Sequence, residues 1–356
     1  MSWWKNAIHK SLLATESIWD AYRDRYQLAS RLAKPLIIQV YIAYASGNRV
    51  YLHGRVIVRS LIRVNQADSA WTNFRNSIKR FRRHEIPYAS IKFAYRDFQL
   101  NIEADSEGYF DLDTNLPIPI ESSHPGFSLE LVHPDAKHEV RTDALFQCIS
   151  PSGDFMIVSD LDDTVIKTDV HHTTRMIAHT FFQNAYSREI FPGTSGWYHA
   201  LQAGPEGTSK NPFFYLSTSP VHLLDLLQDV LDIQQLPKGP LLLQDIKTDE
   251  STFVVRGSIR HKLPHLQRLM QFFKDLPIVL IGDSGQKDLL IYGTLAKEYP
   301  DRIKTIFIRD LKLASKAEQV DRQIAELREL GFDIVLFPDS LSGLNDSISR
   351  GYAKSS

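Results

Sequence analysis

The stretch Phe155-Met156-Ile157-Val158-Ser159-Asp160-Leu161-Asp162-Asp163-Thr164 constrains this chain more than any other, because a short apolar run ends abruptly in three carboxylates. An apolar run closed by a polar turn reads as a buried strand, and open α/β sheets place their ligands at the carboxyl ends of such strands. Neighbouring carboxylates disfavour one another's ionisation, so burying Asp160, Asp162 and Asp163 together calls for a cation. A divalent metal meets that need, and Mg²⁺ suits an oxygen-only set of ligands.

Beyond Gly153 the chain alternates apolar runs with longer helical periods. Candidate strands are 155–159, 213–216, 241–243, 278–281, 305–308 and 334–337, and the intervening stretches 220–230, 264–274, 287–298 and 316–330 have helix-like spacing. Such alternation implies a mostly parallel, Rossmann-like sheet with both faces covered. The amino-terminal half has a different texture. Short alternating runs at 36–45, 50–64, 89–94, 98–104, 109–112 and 127–132 are broken by Gly47-Asn48, Glu107-Gly108 and the proline-rich 117–125, which reads as an antiparallel β-sandwich-like unit. The expected organisation is an amphipathic helical segment at 1–35, a β domain at 36–147, a catalytic domain at 148–340 and a tail at 341–356.

Charge excludes little at the global level but removes one class of partner. With 41 basic against 42 acidic side chains the net charge is -1, and no base-reading or RNA-binding motif is present, so nucleic acid is not an expected partner. The single cysteine, Cys148, cannot form an intrachain disulfide, which fits a cytoplasmic setting. No apolar run is long enough to span a bilayer. Two amphipathic stretches are expected to rest either on the protein core or on a membrane surface. One is 1–34, with Trp4, Ile8, Leu12, Trp19 and Tyr22 on one side; the other is a basic insertion at 71–84, where Trp71, Phe74, Ile78 and Phe81 oppose Arg75, Lys79, Arg82 and Arg83. No protein partner can be read from the sequence.

The chemistry divides among segments in chain order. Asp160 could attack phosphorus as a carboxylate, and Asp162 could protonate the departing alkoxide and then activate water. Thr164 could hold the turn that orients them. Ser217, with Thr218 beside it, ends the run Phe213-Phe214-Tyr215-Leu216 and could bond a transferring phosphate, with Ser219 as helix N-cap and Pro220 as first helical residue. Lys262, just ahead of an apolar-periodic helix, could bridge Asp160 and a phosphate oxygen. Asp283 and Asp288, in Gly282-Asp283-Ser284-Gly285-Gln286-Lys287-Asp288, complete a metal set with Asp160 and Asp162. Singly, each residue has an ordinary explanation as a turn, cap or surface group. Their order and strand-end placement together fit one phosphoryl-transfer site.

These segments resemble the four motifs of the haloacid dehalogenase phosphatase superfamily. More narrowly, Ser159-Asp160-Leu161-Asp162-Asp163-Thr164-Val165, Phe191-Pro192-Gly193, Tyr215-Leu216-Ser217-Thr218-Ser219-Pro220, His261-Lys262 and Gly282 to Asp288 resemble the actin-patch-protein type of phosphatidate phosphatase catalytic domain, related in motif style to lipins. The resemblance covers roughly 148–340. It implies Asp160 as nucleophile and metal ligand, Asp162 as general acid/base with its carbonyl on Mg²⁺, Ser217 and Lys262 on phosphate, and Asp283 with Asp288 on the metal. It implies hydrolysis of phosphatidate to diacylglycerol at a membrane surface. The alternatives are a soluble phosphomonoesterase acting on sugar, nucleotide or protein phosphate, and a non-catalytic lipid-binding or scaffold protein. The long connection from 165 to 212 is expected to form a small cap, in which Phe181, Phe182, Trp197 and Tyr198 are read either as an acyl-chain wall or as core. His171 and His172 read as surface or capping residues rather than ligands.

Overall fold

The computed structural model describes residues 31–58, 85–132, 139–148, 153–161, 191–244 and 257–354. Residues 1–30 of the helical segment expected at 1–35, the basic insertion expected at 71–84, the part of the expected cap up to residue 190 with His171, His172, Phe181 and Phe182, and the motif positions Asp162, Asp163 and Thr164 lie outside the described residues.

Two four-stranded sheets form the amino-terminal half. The first runs in the order β5 (Tyr109–Asn115), β2 (Arg49–Val58), β1 (Leu36–Ser46), β8 (Gln147–Cys148); the second is β4 (Phe98–Glu103), β3 (Ser90–Tyr95), β6 (Gly126–Val132), β7 (Arg141–Leu145). Pairing is antiparallel throughout except where β8 lies parallel to β1. Alternation explains the sandwich. Ile38, Val50, Leu52 and Val56 of the first sheet and Ile91, Phe93, Phe127 and Leu129 of the second are buried in one core, while the alternate residues face the other side, towards solvent on the second sheet and, at Tyr51 and His53 of β2, into a further buried layer. Strands β7 and β8 were not expected from sequence. Arg141–Leu145 buries none of its residues fully, so it carries little apolar signal, and β8 is only two residues long.

The carboxyl-terminal half is a six-stranded, wholly parallel sheet in the order β11 (Leu241–Gln244), β10 (Phe213–Pro220), β9 (Met156–Asp160), β12 (Ile278–Asp283), β13 (Ile303–Arg309), β14 (Ile334–Phe337). Every residue of β9 and β12 is buried, as both-face coverage by helices requires. The described helices are α1 (Thr194–Ala203), α2 (Leu224–Ile233), α3 (Gly257–Phe272), α4 (Asp288–Glu298), α5 (Ala317–Glu329) and α6 (Ser340–Ser349). Helix α3 packs on α4 and α4 on α5, whereas α1 packs on α6. Among the described residues no helix is long and apolar enough to cross a membrane.

The two halves meet along an aromatic seam. Tyr44 of β1 stands edge-on to Phe214 (5.7 Å) and Phe272 (4.8 Å) and lies 5.6 Å from Phe273. Arg268 of α3 lies over the Tyr51 ring at 4.6 Å and donates to its hydroxyl, and Arg49 donates to the Gln271 carbonyl at 3.1 Å. Edge-to-face aromatic pairs contribute about 0.5–1.5 kcal/mol beyond their buried area, so this seam fixes α3 against the sandwich.

Two local expectations are corrected, one open alternative is decided, and part of the carboxyl-terminal region gains a defined element. Pro220 is extended (φ -65, ψ 147) and still belongs to β10, so Ser219 is no N-cap; a 3₁₀ turn intervenes and α2 starts at Leu224 without a side-chain cap. Helix α3 begins at Gly257 rather than Pro264, which puts Lys262 inside the helix; Pro264 breaks only one backbone bond and the helix continues through it. Trp197 and Tyr198 are wholly buried: Trp197 packs on Phe307 and Phe337, and Tyr198 on Phe213, so both belong to the core and not to a lipid-facing wall. Residues 340–349 of the expected tail region form α6, seated on α1 through Gly343 and Trp197.

Candidate active site

The chain leaves β9 towards β10 and β11 on one side, then returns to lay β12, β13 and β14 on the other. The crevice between β9 and β12 is therefore the topological switch point, where open parallel sheets bind ligands at their carboxyl ends. Asp160 is the last residue of β9 and Asp283 the last of β12. On the other flank Leu216 pairs with Asp160, which puts Ser217 one residue farther out on β10.

Helix α3 delivers a cation into this crevice. Lys262 Nζ donates to Asp160 Oδ1 at 2.5 Å and to Asp288 Oδ1 at 2.7 Å, and all three side chains are fully buried. One oxygen from each of Asp160, Asp283 and Asp288 lies within 4.8 Å of the others. Among the described residues, three buried acids thus converge on one bridging lysine, with the buried Arg309 acting on Asp283 from the neighbouring strand, so negative charge is concentrated where water does not reach. The donor set is all oxygen and its members stand close enough to share one ion, so it fits a hard divalent cation such as Mg²⁺.

The surroundings hold these groups in place. Ser159 Oγ donates to the Asp160 carbonyl at 2.9 Å, so in the 2.7 Å contact between Tyr198 and Ser159 the phenol is the donor. That chain ties the end of β9 to α1. Burial raises the Tyr198 phenol to about 12, partly offset by its bond to Ser159. Tyr292 donates to the Ile281 carbonyl at 3.0 Å beneath the site. Its phenol is pushed well up, first by burial and then by Asp288, Asp160 and Asp283, so it stays a neutral donor. At Gly282 a Cβ would fall 2.7 Å from the Asp288 Cβ and 2.8 Å from the Tyr292 ring; only glycine lets Asp288 approach β12. Asp283 Oδ1 accepts from the Gly285 and Gln286 N–H groups at 2.6 and 2.8 Å, which locks the turn into α4, and Asp288 sits in the first turn of that helix.

Of the residues singled out by sequence, Asp160, Lys262, Asp283 and Asp288 converge directly. Ser217 is buried beside them, with its Oγ accepting from Ser219 N–H at 3.0 Å, and Thr218 is half-buried at the same strand end. Sequence reasoning named the His261-Lys262 pair but gave His261 no role of its own; its Nε2 lies 3.1 Å from the Ser217 carbonyl and links α3 to β10. Its adjacency to Lys262 was the only available signal. Sequence reasoning missed Arg309, register-paired with Asp283, buried, stacked 3.8 Å above the Phe191 ring and donating to Ser340 Oγ at 3.0 Å. Burial lowers the pKa of its guanidinium.

Residues 155–310 match the family model of the phosphatidate phosphatase APP1 catalytic domain. The matched stretch contains Asp160, Lys262, Asp283 and Asp288. Phosphatidate phosphatase APP1 of Saccharomyces cerevisiae is 29% identical over 161 residues, which cover 45% of this chain and 26% of that protein. An uncharacterized protein of Schizosaccharomyces pombe is 27% identical over 217 residues, 60% of this chain and 35% of its own. The chain thus spans about a quarter to a third of the length of these curated relatives. Among solved structures, a carbohydrate acetylesterase from Xanthomonas citri aligns at a TM-score of 0.23 and 11% identity over 79% of this chain and 67% of its own, a likeness too low to carry any argument.

Proposed function

We propose that this protein is a Mg²⁺-dependent phosphomonoester hydrolase of the haloacid dehalogenase type, with phosphatidate as substrate and diacylglycerol and phosphate as products. The observation that carries the reading is the buried Asp160–Lys262–Asp288 bridge beside Asp283 at the sheet's switch point. The match of the same residues to the APP1 catalytic-domain model favours a lipid phosphate among the phosphomonoesters. Asp160 Oδ attacks phosphorus, the P–O bond to the glycerol oxygen breaks, and that oxygen takes a proton from Asp162. Water, deprotonated by Asp162, then cleaves the aspartyl phosphate and restores both carboxyl groups. Lys262, a fixed positive charge from α3, holds Asp160 ionised and in line and follows the charge that shifts onto the phosphoryl oxygens. Ser217 and Thr218 bind the phosphate from the β10 side, and Thr164 orients the turn after β9. Asp160, Asp283 and Asp288, with the Asp162 carbonyl, would hold Mg²⁺, and the ion would supply charge neutralisation between the carboxylates and the incoming phosphate.

The test is a phosphate-release panel comparing phosphatidate in mixed micelles with sugar, nucleotide and peptide phosphates, with Asp160→Asn as blank. Release from phosphatidate that stops on chelation, returns with Mg²⁺ and falls by at least about 10³-fold in Asp160→Asn is expected, because an amide is not a competent nucleophile. Normal turnover by a pure Asp160→Asn sample, or undiminished metal-free activity, would refute the mechanism.

A further inference from the structure

Between β13 and α5 the chain runs Asp310-Leu311-Lys312-Leu313-Ala314-Ser315-Lys316, at the same sheet end as the catalytic cluster. It leans over the 283–288 turn. From the position a Gly285 Cβ would take, the Leu311 Cδ1 methyl is 2.7 Å away, Asp283 Oδ1 3.1 Å and the Leu313 Cδ1 methyl 3.4 Å. Both leucines therefore stand within one side chain's breadth of a cluster carboxylate. Leu313 is nevertheless 41% exposed, and Ala314 beside it is exposed as well. The backbone holds Leu313 there. Leu311 N–H donates to Ser284 Oγ at 3.0 Å, Lys312 is in the left-handed region (φ 53) with its N–H on Asp310 Oδ1 at 2.8 Å, and the Leu313 carbonyl accepts from Lys316 and Ala317. Lys316 Nζ in turn donates to the Gly285 carbonyl.

We infer that this turn is a docking lip that seats the site on an anionic phospholipid surface. The inference rests on the phosphatidate reading and extends it to the partner. A lipid phosphate can reach a buried carboxylate cluster only if the rim of the cluster comes down to the headgroup layer, since the acyl chains stay in the bilayer. A rim suited to that contact offers apolar side chains for the headgroup–acyl boundary and cations for the surface charge. The 310–316 turn offers both: Leu313 is exposed beside the exposed Lys312, Leu311 is half-buried, Lys316 keeps its ammonium on the Gly285 carbonyl, and the one carboxylate, Asp310, is turned back onto the Lys312 N–H. An exposed leucine alone is ordinary. A leucine held by its backbone next to an exposed lysine, at the rim of a charged catalytic cluster, matches the chemistry of an anionic bilayer.

The experiment uses the full chain with Leu313→Ser combined with Lys312→Asn, asparagine being compatible with the left-handed backbone. Leu330→Ser is the control, a leucine somewhat more exposed than Leu313 at the carboxyl-terminal cap of α5. Sedimentation with vesicles of phosphatidylcholine with and without phosphatidate reads binding; phosphate release is measured from those vesicles and from p-nitrophenyl phosphate. The lip variant should bind phosphatidate vesicles about tenfold more weakly and turn them over correspondingly slowly, with p-nitrophenyl phosphate turnover within about twofold of wild type. Unchanged vesicle binding, an equal fall on the soluble ester, or the same defect in Leu330→Ser overturns the lip. Should wild type release no phosphate from any ester, the hydrolase reading fails, and the binding comparison still decides whether the lip exists.

Discussion

Replacing Lys262 with methionine tests the electrostatic core of the site without a substrate. The side chain has two anionic partners, Asp160 at 2.5 Å and Asp288 at 2.7 Å, and none of the three is exposed. Methionine keeps much of the volume but removes the cation, so two carboxylates face each other with Asp283 beside them. Removing one partner of a buried ion pair costs about 3–5 kcal/mol, and the doubly bridged lysine belongs at the upper end of that range. Against a total stability of about 5–15 kcal/mol, the variant remains folded but moves to clearly lower denaturant. Urea unfolding in metal-free buffer, followed by circular dichroism and tryptophan fluorescence, reads the loss. Adding Asp288→Asn removes one of the opposed charges, so Lys262→Met with Asp288→Asn should be less destabilised than the sum of the two single variants, by about 1–3 kcal/mol. Millimolar Mg²⁺ should raise the midpoint of Lys262→Met by more than that of wild type, since a bound ion stabilises the fold in proportion to its affinity. A Lys262→Met midpoint within about 1 kcal/mol of wild type, or strict additivity in the double variant, would refute the claim that these carboxylates depend on this lysine.

Gly343→Ala should cost about 1–3 kcal/mol, because its Cβ would fall 2.7 Å from the Trp197 indole in a close-packed contact; a thermal midpoint equal to wild type would show that α6 can shift away from α1. Asp333→Asn should cost about 1 kcal/mol near neutral pH, a figure kept low because the pair is partly solvent-exposed. Asp333 accepts from Arg350 at 2.7 and 3.1 Å and from Thr305 at 2.7 Å, and Arg350 first, then Thr305, hold its pKa below the usual 3.8. A lowered folded pKa contributes stability that is complete above the unfolded value and is lost as pH falls through the folded one. The gap between wild type and Asp333→Asn should therefore be steady from pH 5 upward and close below about pH 3.8; a gap that persists unchanged in strong acid would count against the ion pair as its source.

The sheet was legible because each of its strands contains a short apolar run, from Met156-Ile157-Val158 to Ile334-Val335-Leu336-Phe337, and the acids at the ends of β9 and β12 mark where two of those runs end. The order of the motifs therefore indicated one site. What the sequence concealed was set by tertiary contacts. Pro264 read as a helix start, yet α3 begins seven residues earlier. Pro220 read as helical, yet pairing with Gln244 keeps it in β10. Trp197 and Tyr198 lie in a stretch whose spacing suits a wall or a core equally, and only Phe213, Phe307 and Phe337 decide between them. Arg309 drew no reading from the sequence because nothing in its neighbours announces the Phe191 ring that covers it.

The meeting of Tyr44 with Phe214, Phe272 and Phe273 has a practical bearing on anyone dissecting this protein. Cutting before Gly153 to obtain a smaller hydrolytic fragment would leave those phenylalanines bare at the foot of the helix that bears Lys262. Such a fragment would tend to self-associate unless Phe272 and its neighbours were recoloured with polar residues, and the helix would lose the buttress that keeps its ammonium group aimed.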